Sequence, residues 1–196
     1  MTTERIPDHP IEPLFTHRWS PRAYDATSMP ASDLFSILEA ARWAPSAYNI
    51  QPWRFLYSFR NDAHWHTYLS LLDTGNATWA CNASALIVVL SDTEMPGSPN
   101  HPPKPSRYHR FDAGASWALL ALQTTALGYQ AHAMAGIDFG RSRQKLAVPK
   151  KFNIEIAIAI GKPASPSILP QALREREQPS QRYPLSDIAF AGTFPA

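Results

Sequence analysis

The chain has 196 residues, enough for one domain with a sizeable core. Hydrophobic residues make up 44% and charged residues 17%, which excludes a chain too polar to collapse. A net charge of +2 without a long basic run argues for neither nucleic acid nor a membrane surface, and Arg174-Glu175-Arg176-Glu177, alternating in sign, reads as a solvated face.

Cys81 is the only cysteine, so an intramolecular disulfide is excluded, and a buried, inert thiol is expected there. No apolar run approaches the ~18 residues of a transmembrane helix, and the N-terminus carries no apolar core of a secretion signal. A cytoplasmic protein is the expectation.

In chain order, the stretch to about Met29 reads as irregular or partly helical. Leu34, Ile37, Leu38 and Ala41 then recur at helical spacing, with Pro30 and Asp33 suited to the first turn. Pro45 disfavours helical geometry at Ala44 and should end this helix. Trp53 to Phe59 reads as a strand rich in aromatics. Trp65, Tyr68, Leu69 and Leu72 share a helical face within Asp62–Leu72, with Gly75 as the expected stop. A short helix is predicted from Asn76 to Asn82. Ala85 to Leu90 is a continuous apolar run, the mark of a central strand covered on both faces. Met95 to Pro105 holds five prolines and reads as a lid-like loop. Phe111 to Leu127 is a helix apolar nearly all round, suited to the core or a subunit interface and closed by Gly128. Tyr129 to Met134 reads as a short strand. A helix from Asp138 buries Leu146 and ends at Pro149. Phe152 to Ile160 alternates at period two, predicting a strand with one markedly apolar face. Beyond Pro163 the composition turns to Pro, Ser, Gln and Arg, an extended tail over residues 164–196. One α+β domain over residues 1–196 is the resulting expectation.

Two polar groupings stand apart from this pattern. Between the helix ending near Ala44 and the strand at Trp53, the connector Pro45-Ser46-Ala47-Tyr48-Asn49-Ile50-Gln51-Pro52 displays Ser46, Asn49 and Gln51. It fits either an ordinary turn or a ligand-holding loop between rigid elements. Arg18-Trp19-Ser20-Pro21-Arg22 sets two guanidinium forks around a hydroxyl, which suits a phosphate and equally suits a surface pair. Arg182 is a further candidate cation. No Gly-x-Gly-x-x-Gly or Walker-type loop occurs, so a built-in dinucleotide site is not indicated. The seven histidines are scattered without metal-ligand spacing, leaving His101 and His109 near the proline-rich loop as substrate contacts at most. Ser116 lacks a Gly-x-Ser-x-Gly frame, and helix packing explains it better. No metal site is expected.

Taken in order, these segments resemble the nitroreductase family of flavin-dependent oxidoreductases. The resemblance runs through Arg18-x-Ser20-x-Arg22 and Ala44-Pro45-Ser46-Ala47-x-Asn49-x-Gln51-Pro52-Trp53 to Gly75-Asn76-x-x-Trp79. It continues with Asp112-x-Gly114, Ala126-Leu127-Gly128, Met134-x-Gly136-x-Asp138, Pro149 and Ile158-x-Ile160-Gly161-x-Pro163. It therefore covers most of the chain.

The resemblance implies a central, mostly antiparallel sheet flanked by helices, in an intertwined homodimer with two FMN molecules at the subunit interface. It implies that Arg18, Ser20 and Arg22 hold the FMN phosphate and ribityl end, with Arg182 closing over the phosphate. Pro45, Ser46 and Ala47 would reach the partner's flavin, while Asn49 would contact the ribityl region. Trp19 and Gln51 join the cofactor-binding set as members of the same two segments. Asn76 would hydrogen-bond the pyrimidine edge, and the backbone at Ala135 and Gly136 would face N5 and O4. No side chain is expected to act as acid or base, since the flavin carries the chemistry. NADH or NADPH would reduce FMN and leave, and a small acceptor such as a nitroaromatic or a quinone would follow in ping-pong order. A dehalogenase, enone reductase or dehydrogenase of the same family, and a flavin-binding protein without turnover, are the alternatives. Neither a nucleic acid nor a membrane is an expected partner. Two positions depart from the family pattern: Trp79 stands where many members have lysine, and Ala135 where some have an acidic residue.

Overall fold

The structure, a computed structural model, describes residues 4–97 and 99–195. In chain order the elements are α1 (Pro13–His17), α2 (Ala31–Arg42), β1 (Trp53–Phe59), α3 (Trp65–Leu71), α4 (Thr74–Ala80) and β2 (Ala85–Asp92). They continue as β3 (Glu94–Met95), β4 (Lys104–Pro105), α5 (His109–Ala126), β5 (Gln130–Met134), α6 (Phe139–Lys145), β6 (Phe152–Gly161) and α7 (Gln171–Arg174).

Four strands make one antiparallel sheet in the order β1-β2-β6-β5, while β3 and β4 pair as a separate ribbon inside the proline-rich loop. Because β2 lies inside the sheet, both of its faces need cover, which is why its sequence is apolar without alternation. Leu86, Val88 and Leu90 pack with Trp65, Tyr68, Leu71 and Trp79 on the α3 and α4 side. Ala85, Ile87 and Val89 pack with Leu34, Ile37, Ala41 and Leu120 on the α2 and α5 side. The helical spacing of Leu34, Ile37 and Ala41 thus matches a fully buried stripe.

Several boundaries differ from expectation for local reasons. Gly75 does not stop a helix; it lies inside α4, because the Asp73 side chain caps that helix by accepting from the Asn76 N–H at 2.7 Å. On β6 both faces are buried rather than one. A bulge between Val89 and Leu90 pairs Ile154 with Leu90 and Ile156 with Val89, leaving Glu155 as the extra residue. Ile154 therefore joins one core, while Ile158 and Ile160 join the other. Helix α5 buries Ala113, Ser116, Leu120 and Thr124, yet leaves Phe111 80% exposed, so its apolar surface is covered on one side only. Cys81 is partly exposed rather than buried, its thiol donating to the Thr78 carbonyl. The segment after Pro163 is not simply extended: Leu169 is buried, and short helical turns form at Pro166–Ile168 and Leu185–Asp187. No helix among the described residues is long and apolar enough to cross a membrane.

Candidate functional site

The connector after α2 is held in an unusual backbone. Tyr48, Asn49 and Gln51 all have positive φ, at 52°, 55° and 52°. Non-glycine residues pay for that region sterically, so a succession of them needs local support. The Gln51 N–H donates to Ser46 Oγ at 2.9 Å, and the Gln51 side-chain amide donates to the Asn49 carbonyl at 3.1 Å. From α5, the buried Asp112 carboxylate accepts the Ala47 N–H at 3.2 Å. One turn on, Ser116 Oγ donates to the Ala41 carbonyl at 2.8 Å. Ser116 is thus a packing residue that holds the end of α2, as its setting in the sequence suggested. Ser46, Asn49 and Gln51 use part of their polar capacity on the loop itself, while Tyr48 is 85% exposed.

A second group gathers cations. Arg18 donates to Ser20 Oγ at 3.3 Å. Arg5, which pattern reading passed over, donates to the carbonyls of Arg18 at 2.7 Å, Thr16 at 3.1 Å and Ser180 at 3.0 Å. Arg182 donates to the Ser180 and Gln181 carbonyls, at 3.3 and 3.0 Å. Burial, then the neighbouring guanidinium groups, lower the pKa of Arg5 and of Arg18. Among the described residues none of the three makes an ion pair with a carboxylate. Three crowded guanidinium groups whose hydrogen bonds go to neutral oxygens have the chemistry to take an anion, which would relieve their mutual repulsion. Arg5 and Arg182 border a cavity of about 370 Å³, together with Ile6, Phe15, Tyr183, Leu185 and Asp8, whose carboxylate accepts the Leu185 N–H at 2.7 Å.

Arg22 belongs to a different local set. Its N–H and that of Ala23 donate to Glu177 Oε1 at 2.5 and 2.8 Å, and its guanidinium lies 3.5 Å from Glu177 Oε2. Glu177 is only 8% exposed, so the solvated face expected for Arg174–Glu177 fails at that residue. Trp19 is placed by its N–H, which donates to Gln130 Oε1 at 3.3 Å.

The third group surrounds Gly136. The Gly136 carbonyl accepts from the Asp73 N–H at 3.0 Å and from Asn76 Nδ2 at 3.3 Å. A β-carbon at position 136 would overlap the Asp73 carboxylate and come within 2.6 Å of Asn76 Nδ2, so both side chains would have to move to admit one. Among the described residues no hydrogen bond starts from the Gly136 N–H. Ala135 is exposed, and its carbonyl accepts from Ile137 at 2.9 Å. Trp79, by contrast, is 2% exposed and packs its ring 4.7 Å from that of His132, so it serves the core. His109 is turned inward as well, pairing with Ser91 Oγ at 2.7 Å beside Glu155.

The fold therefore brings Arg18, Ser20 and Arg182 together, adding Arg5, and brings Asn76, Ala135 and Gly136 together, adding Asp73. Among the described residues, no hydrogen bond or ion pair joins the 45–51 loop to either group.

A family model, the nitroreductase family, matches residues 15–69, which include the Arg18–Arg22 segment and the whole 45–52 loop. A solved structure described as an oxidoreductase containing FMN is 48% identical, covers 100% of this chain and 99% of its own, and superposes with a TM-score of 0.95. The chain belongs to the nitroreductase family. A Streptomyces coelicolor relative, whose name offers NADH dehydrogenase or NAD(P)H nitroreductase activity, is 28% identical over 83% of this chain and 87% of its own. A Desulfovibrio desulfuricans protein described as a nitroreductase and solved in complex with FMN is 25% identical. It covers 95% of this chain and 100% of its own, with a TM-score of 0.72. The sheet and its flanking helices are those of this family's fold.

Proposed function

We propose that the chain is an FMN-dependent oxidoreductase that takes electrons from NADH or NADPH and reduces a small acceptor, such as a nitroaromatic or a quinone. The cluster of Arg5, Arg18 and Arg182, none of them ion-paired with a carboxylate among the described residues, carries this reading. It offers a phosphate end, and the family relative that matches the whole chain is described as containing FMN. The Gly136 group suits the other end of such a ligand: the Gly136 N–H makes no hydrogen bond among the described residues, and the side-chain amide of Asn76 lies beside it.

Bound FMN supplies a ring that accepts a hydride and passes electrons on. The chain's part is to bind and orient. Arg18, Arg5, Arg182 and Ser20 hold the anionic end through charge-assisted hydrogen bonds. Asn76 would hydrogen-bond the polar ring edge, and the Gly136 N–H, which makes no hydrogen bond among the described residues, would donate to the ring and help to orient it. Asp112 and Ser46 hold the 45–51 loop in its strained path. Because no hydrogen bond or ion pair joins that loop to either other group among the described residues, we assign Pro45, Ser46, Ala47, Asn49 and Gln51 to the flavin of a second copy. The uncovered side of α2 and α5, with Phe111, Trp43 and Phe35, is the apolar face through which a homodimer would form. Sedimentation of the purified protein reads that state directly.

Steady-state reduction of a nitroaromatic, a quinone, an enone and a halogenated aromatic, each with NADH and with NADPH, tests the activity. Turnover of nitroaromatic or quinone is the expected result. Turnover of the enone or the halogenated compound alone would redirect the assignment within the family.

A further inference from the structure

The two ends of the chain meet at the arginine cluster, and a single buried side chain roots the C-terminal end there. Glu177 is the last buried residue: among the described residues beyond it, all but Pro179 are exposed. Polar contacts, not burial, therefore hold residues 180–195. The Ser180 carbonyl accepts from Arg5 at 3.0 Å and from Arg182 at 3.3 Å, which sets those two guanidinium groups side by side. The Gln181 side-chain amide donates to the Glu4 carbonyl at 3.0 Å, and the Leu185 N–H donates to the Asp8 carboxylate at 2.7 Å. These partners lie on an N-terminal arm whose residues from 4 to 12, Arg5 excepted, are exposed as well. Segments with so little buried surface open easily.

Glu177 is held differently. Its side chain is 1% exposed, Oε1 accepts the backbone N–H groups of Arg22 and Ala23 at 2.5 and 2.8 Å, and Oε2 lies 3.5 Å from the Arg22 guanidinium. Arg22 and Ala23 continue the segment that carries Arg18 and Ser20, and Arg182 follows Glu177 by five residues. Docking the root of so short a stretch keeps its cation at high effective concentration beside Arg18. Repulsion among the three guanidinium groups works against that placement, so the root has a load to bear.

We propose that Glu177 is a positioning residue of the anion site: docked on the Arg22 and Ala23 N–H groups, it roots a C-terminal strap that carries Arg182 to Arg5 and Arg18. Taking the anion to be the FMN phosphate rests on the reading above, whereas the rooting of the strap is visible without any ligand.

A double-mutant cycle on FMN dissociation constants tests this, with wild type, E177A, R182Q and E177A/R182Q. We expect each single variant to weaken FMN binding about tenfold and the double variant to be no weaker than R182Q, because Glu177 acts through Arg182. E177Q, which keeps an oxygen for both N–H groups, should recover most of the E177A loss. Losses that multiply in the double variant, or E177A at wild-type affinity, would overturn the proposal. Amide hydrogen exchange of the ligand-free proteins gives a second readout. E177A should speed exchange of the Leu185 N–H while the amides of β2 and β6 stay protected, and unchanged exchange at Leu185 would overturn the proposal. If E177A does not fold, E177N, whose shorter side chain draws back from the two N–H groups but stays polar, carries both comparisons. Wild-type protein that takes up no FMN would overturn the cofactor reading, and the exchange measurement would still decide whether Glu177 roots the strap.

Discussion

The Ala47 N–H donates to the Asp112 carboxylate across 65 residues of chain, at 3.2 Å. This bond ties the loop after α2 to the first turn of α5, and it lies beneath three residues with positive φ. A buried carboxylate is thus spent on holding one loop, which marks that loop's shape as something the fold maintains.

Replacing that carboxylate should therefore loosen the loop more than the core. For D112A we expect a stability loss of about 1–3 kcal/mol by urea unfolding, the worth of a part-buried hydrogen bond to a charged acceptor. FMN retention should fall further than stability alone explains. Equal FMN affinity in D112A and wild type would separate the loop from the site.

Gly136 makes a sharper case, because a single methyl group would have to displace two side chains. G136A would push against the Asp73 carboxylate and the Asn76 amide at once. We expect G136A to lower the unfolding midpoint and to abolish FMN binding. The double variant G136A/D73A should recover part of the stability, although it gives up the α4 cap, worth about 1 kcal/mol. Thermal melts of the three proteins check this.

Arg18 serves the anionic end. R18A should weaken FMN binding at least tenfold, and the loss should shrink as ionic strength rises, because charge–charge attraction is screened. Fluorescence titration at two salt concentrations reads both effects. R5A should act less on affinity and more on the ordering of the N-terminal arm, since Arg5 spends its donors on the carbonyls of Thr16, Arg18 and Ser180.

Acid should destabilise the protein through His132. Desolvation, the largest influence, lowers its pKa from the ordinary 6.5, with Arg22 acting the same way. The unfolded chain then binds a proton that the folded chain refuses, so stability rises with pH in that range. The contribution is complete above about 6.5 and declines as pH falls from there toward the depressed folded value. Urea midpoints between pH 7.5 and 5.5 should show this slope, and H132Q should flatten it. An unchanged slope in H132Q would assign the acid sensitivity to other groups.

Strand β1 was legible from its residues because a short run rich in aromatic side chains, bracketed by Pro52 and Asn61, admits little else. The stripe of Leu34, Ile37 and Ala41, and the unbroken apolar run of β2, reported burial on one face and on two faces respectively. What escaped were features set by single contacts between distant segments. Gly75 resembled a helix stop until Asp73 proved to be a cap. The Glu155 bulge follows from pairing with β2, which no local period encodes. Glu177 sits in a run of alternating charge, and only its docking against Arg22 and Ala23 buries it. Arg5 had no neighbouring motif, and its place beside Arg18 and Arg182 depends on where both ends of the chain come to rest.

The central claim is that this chain binds FMN and reduces it with a nicotinamide donor. The visible spectrum of the purified protein, recorded before and after anaerobic addition of NADH or NADPH, tests that claim most directly. We predict a yellow protein whose flavin absorbance bleaches with at least one donor. A colourless protein that gains no thermal stability from added FMN, or a bound flavin that neither donor bleaches, would contradict it.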